Sequence, residues 1–156
     1  MDLSGKNPEE VLRSGRPIEI SPRGYSMYPL LVPGRDKVVV VPVTMKRPRN
    51  HDIVVFRREG SILVIHRIVK IRRSGDGGRE FYIVGDNQKE LEGPVRESQI
   101  CGTVVRINRK GKKIKTDDPL YRILVSVWGF LRPVRPVISR SVAGLKRSVK
   151  KFRRRK

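Results

Sequence analysis

The chain has 156 residues, with 36 Lys or Arg against 15 Asp or Glu, and a formal net charge of +21. Its hydrophobic residues, 37% of the total, are enough for one domain with an appendage and argue against wholesale disorder. The lone Cys101 excludes an internal disulfide framework, and one Cys with two His argues against a structural zinc site. No apolar run reaches about 18 residues, and no signal peptide is evident, so we expect a cytoplasmic or peripheral membrane protein.

The first predicted element is a short helix within residues 1–17. Asn7 can cap its free amides, Pro8 fits its first turn, and Gly15 is suited to end it. A brief alternating strand, Ile18–Ile20, comes next. Residues 21–29 are then rich in Pro, Gly and Ser, which is typical of turns.

The middle of the chain is predicted to be a β domain spanning residues 18–115. Its β-branched and apolar runs are separated by polar or glycine-containing loops, and His66 shares one strand face with Ile62, Val64 and Ile68. Strands this short, with almost no helix between them, indicate a compact, mainly antiparallel fold. Besides Ile18–Ile20, the predicted strands cover residues 37–43, 52–56, 61–71, 80–84 and 100–107.

A basic tail is predicted over residues 116–156. Asp118 is a good helix cap and Pro119 fits the first helical position, followed by the apolar run 120–131. No acidic residue follows Asp118, whereas 12 basic residues do; the first 118 residues hold 24 basic and 15 acidic residues. Beyond Pro133 and Pro136, apolar residues recur every three or four positions, which predicts a basic amphipathic helix.

Three partners are open for this tail. A basic amphipathic helix can lie on an anionic membrane, its apolar stripe can instead pack on the β domain, or its cations can bind nucleic-acid phosphates. Few aromatic residues lie among the basic ones, which disfavours a stacking platform for single strands.

Candidate chemistry rests on Ser26, His66 and Asp86. Serine attacks a carbonyl only when a base removes its proton, and histidine serves this purpose near neutral pH. His51 lies in a polar loop, whereas His66 lies within an apolar strand. Taken singly, each candidate has an ordinary interpretation: a turn serine, a satisfied buried histidine and a strand-end aspartate.

Taken in order, the motifs favour catalysis. Gly24-Tyr25-Ser26-Met27-Tyr28-Pro29 resembles the Ser-Met-x-Pro box of the signal peptidase I family, which shares a superfamily with the LexA-like peptidases. Further segments match that family's boxes from about Ile18 to Ile107: Gly34-Arg35-Asp36, Asp52-Ile53-Val54-Val55-Phe56 (with His51 in a glycine position), Val64-Ile65-His66-Arg67-Ile68 and Val84-Gly85-Asp86-Asn87.

The resemblance implies a Ser/His serine endopeptidase that cleaves leader or signal-like peptides with small residues near the cut. By this resemblance, Ser26 is the nucleophile and His66 is the general base, in the histidine form found in the endoplasmic reticulum and in archaea. The resemblance also implies that Asp86 supports the imidazole. Substrate contacts fall to Gly24, Met27, Tyr28 and the weaker candidate Glu92, six residues beyond Asp86. The family needs no metal or cofactor, and binds its substrate as an extended strand in a surface groove.

Two departures qualify this expectation. Gly24 stands where many relatives carry a Ser or Thr that donates to the oxyanion, which leaves backbone amides for that purpose. Signal peptidases are also usually held by an N-terminal transmembrane helix, whereas residues 1–20 are too polar to span, so the basic tail is the expected anchor. The alternative from another class is a non-catalytic basic module on the same fold, docking on membrane or nucleic acid through residues 119–156.

Overall fold

The computed structural model describes residues 7–59 and 62–131, and these are mainly antiparallel β structure with few helices. A short helix, α1 (Pro8–Arg13), precedes the strands, and a second helix, α2 (Pro119–Phe130), follows them. A single 3₁₀ turn, Glu97–Gln99, separates the sixth and seventh strands. The strands are β1 (Ile18–Ile20), β2 (Asp36–Pro42), β3 (Ile53–Arg58), β4 (Ile62–Arg73), β5 (Arg79–Val84), β6 (Glu92–Arg96), β7 (Ile100–Arg109) and β8 (Lys112–Lys115).

The strands form one curled sheet in the order β1-β2-β7-β3-β4-β5-β6, with β8 also paired to β7. Every pairing is antiparallel. The long strand β4 lies between β3 and β5, with His66 opposite Val54 and Arg67 opposite Val84. This position surrounds the middle of β4 with other strands, so that consecutive residues His66, Arg67 and Ile68 are all buried.

Two apolar clusters hold the sheet together. The first packs α1 and the turn-rich segment after β1 against one part of the sheet, and includes Leu12, Met27, Leu31, Val40 and Ile107. The second joins β3, β4, β5 and β7, and includes Phe56, Ile68, Phe81, Ile83 and Ile100. Successive residues of β3 alternate between the clusters, Ile53 and Val55 in the first and Val54 and Phe56 in the second, so both faces of the sheet are buried at this strand.

Both predicted helix starts are confirmed. The Asn7 side chain accepts a hydrogen bond from the Glu9 amide at 3.1 Å, as an N-cap does. Asp118 does the same for the Leu120 amide, at 2.9 Å, with Pro119 in the first helical position. Within the described part of the chain, neither helix is long and apolar enough to cross a bilayer.

Two of the observed strands, β6 and β8, are not among the predicted ones. The sixth, β6, contains Pro94, which lacks an amide donor and is accepted because β6 ends the path of the sheet. The last, β8, reads Lys-Lys-Ile-Lys and is joined to β7 by Lys110 and Gly111, both in the left-handed region that a tight hairpin needs. Residues Lys112–Lys115 thus continue the sheet beyond the last predicted strand.

The chain divides into two units, Met1–Ile123 and Leu124–Lys156, with the boundary inside α2. All the candidate site residues belong to the first unit. The basic amphipathic helix predicted beyond Pro133 lies outside the described residues, so its structure stays a prediction.

Candidate functional site

The turn-rich segment that carries Ser26 is tied to the sheet by a buried carboxylate. Asp36, at the start of β2, accepts hydrogen bonds from Arg35 and Arg109, each with a contact of 2.8 Å or shorter. The same arginines donate to the carbonyls of Pro29 (3.1 Å) and Leu30 (2.7 Å), just beyond the nucleophile motif. Burial alone would raise the pKa of Asp36, but the two guanidinium groups outweigh it and lower this pKa to about 2. Asp36 therefore stays ionised and holds the segment in place.

The Ser26 backbone contacts the loop that carries Asp86. The Asn87 amide donates to the Ser26 carbonyl at 2.7 Å, and the Asn87 side chain donates to the Tyr25 carbonyl at 3.2 Å. Gly85 is required at this junction, because a Cβ there would lie 2.6 Å from the Ser26 carbonyl oxygen. The Ser-Met-x-Pro and Gly-Asp-Asn motifs, 60 residues apart in the sequence, thus meet by main-chain contacts.

The imidazole of His66 is buried and faces a carboxylate. Its Nδ1 lies 2.9 Å from Oε1 of Glu92, a close contact that does not meet the geometry of a hydrogen bond. Glu92 begins β6 opposite Ile83 of β5, which in turn pairs with Ile68 of β4, two residues from His66. The sheet register therefore sets the distance between the imidazole and the carboxylate.

Glu92 is itself held by a cation. Arg58, the last residue of β3, donates to both carboxylate oxygens of Glu92, at 2.6 Å and 2.8 Å. Burial lowers the pKa of His66, the Glu92 charge partly offsets this, and the Arg58 charge lowers the pKa again. The net shift is downward, so His66 is neutral at pH 7 and able to accept a proton.

The carboxylate of Asp86 forms a bidentate ion pair with Arg67, at 2.8 Å on both oxygens. Arg67 also donates to the His51 carbonyl at 2.7 Å and contacts the Tyr121 hydroxyl at 3.4 Å. The Asp86 charge raises the pKa of His66, but less than the Glu92 charge does. Asp86 therefore fastens its loop to β4 and acts on His66 through its charge, and Glu92 contacts the imidazole at Nδ1.

A groove of about 750 Å³ opens beside Ser26. One wall is the turn-rich segment from Ile20 to Met27, and the other is formed by β3 and by β4 immediately before His66. Its lining includes the apolar side chains of Ile20, Met27, Val55, Leu63 and Ile65. The lining of the groove is mostly apolar, which suits the side chains of a bound peptide better than a compact polar ligand.

The remaining predicted substrate residues lie as follows. Gly24 is exposed, lines the groove and has a φ of +73°, in the left-handed region that glycine tolerates. Met27 is buried in the first apolar cluster and also lines the groove. Tyr28 is exposed. His51, in the position where the resembled family has glycine, adopts a φ of +70°.

No protein-family model matches the chain, and a search of curated proteins finds no match.

Proposed function

We propose that the chain is a serine endopeptidase of signal-peptidase-like type, with Ser26 as nucleophile, His66 as general base and Glu92 as the group that orients the imidazole. One observation carries the proposal. The Nδ1 atom of the buried His66 imidazole lies 2.9 Å from the Glu92 carboxylate. Glu92 begins β6, and the loop that leads into β6 contacts the Ser26 backbone through the Asn87 amide at 2.7 Å. A neutral imidazole backed by a carboxylate supplies the base and its orienting group for acyl transfer, and the loop between β5 and β6 connects this pair to the segment that carries Ser26.

The chemistry follows from which ring nitrogen faces the carboxylate. With Nδ1 protonated toward Glu92, Nε2 carries the free lone pair and takes the proton from the Ser26 hydroxyl. The hydroxyl oxygen attacks the scissile carbonyl, and the protonated imidazole then gives its proton to the leaving amine as the C–N bond breaks. Water repeats the sequence on the ester, giving up a proton to Nε2, and Ser26 is restored.

Backbone amides are proposed to hold the oxyanion. Gly24 has no side chain to donate, so the Ser26 amide is the donor that the sequence offers at this turn. Removal of one oxyanion donor typically costs about 10²–10³ in rate, so a slow or highly selective peptidase is consistent with a glycine at position 24.

The proposed substrate is a leader or signal-like peptide with small residues near the cut. The groove beside Ser26 supports an extended backbone, and its apolar walls accept aliphatic side chains. The preference for small residues rests on the motif resemblance alone.

The experiment is labelling with a fluorophosphonate probe together with cleavage of a peptide library. We expect Ser26→Ala to abolish labelling and cleavage, and His66→Ala to reduce both by roughly 10³-fold or more, with folding retained. Matched controls are Ser98→Ala, an exposed serine of the 3₁₀ turn, and His51→Asn, since Asn tolerates a left-handed backbone. Both controls are expected to behave as the parent.

If the activity of the parent were indistinguishable from that of Ser26→Ala, the proposal that the chain is a peptidase would be contradicted. That result would favour the alternative, a non-catalytic basic module that docks on anionic membrane or nucleic acid through residues 119–156.

A further inference from the structure

A second concavity, separate from the groove beside Ser26, is lined mainly by cationic side chains. It has a volume of about 830 Å³ and lies between the loop after β2 and the hairpin that joins β4 to β5. Apart from Pro48, Ile71 and Gly77, its lining residues are Lys46, Arg47, Arg49, Arg72, Arg73 and Arg79.

The cations outnumber the carboxylates that pair with them. Glu97 is shared by Arg79 (3.3 Å) and Arg47 (3.8 Å). Lys46 pairs with Asp117 at 2.8 Å and lies 3.9 Å from Asp52, and Arg49 lies 3.5 Å from the same Asp117. In residues 7–59 and 62–131, neither Arg72 nor Arg73 forms a salt bridge, and both are exposed. An unbalanced group of guanidinium groups in a concavity is suited to phosphate oxygens.

Part of the pocket is rigid before any ligand arrives. Arg79 is largely buried and donates to the Pro48 carbonyl at 2.6 Å, joining the two walls of the pocket. The Arg72 guanidinium lies 5.2 Å from the centre of the Tyr82 ring. Since these side chains are already ordered, less conformational entropy is lost on binding.

Exposed apolar side chains belong to the loop after β2 and to the start of α2. Met45, next to Lys46 in the chain, is 59% exposed. The first two turns of α2 add Leu120 and Ile123, 66% and 59% exposed. The start of α2 is tied to the same loop, because Arg122 donates to the Asn50 carbonyl at 3.1 Å and Asp117 accepts from Lys46. Cations that bind phosphate, flanked by side chains that prefer hydrocarbon, match the layered structure of a bilayer surface.

We propose that this pocket binds the phosphate of an anionic phospholipid headgroup, and that Met45, Leu120 and Ile123 enter the interface beside it. Single-stranded nucleic acid shares the phosphate but is disfavoured, because no aromatic side chain among the described residues lines the pocket for base stacking. A duplex also presents phosphates, but it offers no apolar layer to receive Met45, Leu120 and Ile123. The strand β4 runs from His66 to Arg72, a rise of about 20 Å, so docking would hold the groove near the membrane. The proposal stands independently of the peptidase, since binding requires no catalysis.

The test is co-sedimentation of the full chain with vesicles of phosphatidylcholine, alone or mixed in equal parts with phosphatidylglycerol. The pocket variant is Arg72→Gln with Arg73→Gln. The control, Lys112→Gln with Lys113→Gln on β8, removes the same charge from exposed positions outside the pocket. We expect the pocket variant to weaken binding to the anionic vesicles by roughly tenfold or more, and the control to weaken it by less than about threefold. Met45→Ser should weaken it as well.

Equal losses of vesicle affinity in the pocket and control variants would overturn the proposal, because they would show that binding depends only on net charge. The proposal would also be overturned if the pocket variant lost affinity for duplex DNA but kept its affinity for anionic vesicles. A third outcome is that free inorganic phosphate competes with the vesicles at constant ionic strength while Met45→Ser binds as the parent does. That combination would identify a phosphate-ion site and overturn the lipid assignment. A second variant, Arg47→Gln with Arg49→Gln, repeats the test at two other exposed positions of the pocket.

Discussion

At the scale of single residues, the state of His66 is set by burial and by two opposite charges. Burial disfavours the charged imidazolium, Glu92 favours it through direct contact, and Arg58 disfavours it from the far side of Glu92. Because Arg58 donates to both Glu92 oxygens, it also fixes the carboxylate that orients the ring. A residue outside the recognised motifs thus affects both the position and the proton affinity of the proposed base.

Glu92→Gln and Arg58→Gln are therefore expected to move the pH profile in opposite directions. Activity requires the neutral imidazole, so the acid limb of kcat/KM follows the pKa of His66, which lies below its ordinary value of 6.5 in the parent. Loss of the Glu92 charge lowers this pKa and moves the limb to lower pH. Loss of the Arg58 charge raises it and moves the limb to higher pH. The measurement is peptide cleavage as a function of pH.

The rates should also differ. Glu92→Gln removes the orienting carboxylate and should reduce kcat by roughly 10²–10⁴-fold, as expected when a triad acid is replaced by its amide. Arg58→Gln retains Glu92 and should cost much less. If the acid limbs of both variants moved in the same direction, the limb would not follow a His66 pKa set by the Glu92 and Arg58 charges.

At the scale of elements, Asp36 is expected to couple the nucleophile segment to the sheet. Asp36→Asn removes the charge that pairs with Arg35 and Arg109 and should lower the free energy of unfolding by about 2–3 kcal/mol. The amides after Pro29 and Leu30 should then exchange faster, and probe labelling at Ser26 should slow. Urea unfolding and hydrogen exchange provide the measurements.

The matched control is Asp76→Asn, on the exposed turn between β4 and β5. It should leave stability, exchange near Ser26 and labelling essentially unchanged. A large loss of stability in Asp36→Asn without faster exchange in the nucleophile segment would assign Asp36 to the core alone.

Local patterns predicted the elements but not the contacts between them. Alternation and caps located α1, the start of α2 and six of the eight strands, because these depend on neighbouring residues. The edge strand β6 was missed because Gly93 and Pro94 interrupt it, and that omission hid the partner of His66. Glu92 reaches the imidazole only through the pairing of β6 with β5. The motif resemblance singled out Glu92 as a weaker candidate, but only the sheet register shows which group it contacts.

At the scale of the whole molecule, stability should fall in two stages as the pH is lowered. His66 has a folded pKa below 6.5, so the unfolded chain binds its proton first, and stability is lost from about pH 6.5 down through the folded pKa. Asp36 has a folded pKa of about 2 against 3.8, so its contribution is complete above about pH 4 and is lost as the pH falls towards 2. The Asp36 shift corresponds to about 2 kcal/mol. Acidification also increases self-repulsion in a chain that already carries +21.

Urea unfolding over a pH series measures the two stages, and each variant should reduce one of them. His66→Ala should reduce the first stage, to which His51 still contributes because burial lowers its pKa as well. Asp36→Asn should reduce the second stage, to which Glu9 and Asp117 still contribute because their pKa values are also lowered. Added salt screens general repulsion between exposed charges but acts much less on these buried groups, so both stages should persist at high ionic strength. A pH dependence that disappears in salt and is the same in both variants would assign the acid sensitivity to net charge alone.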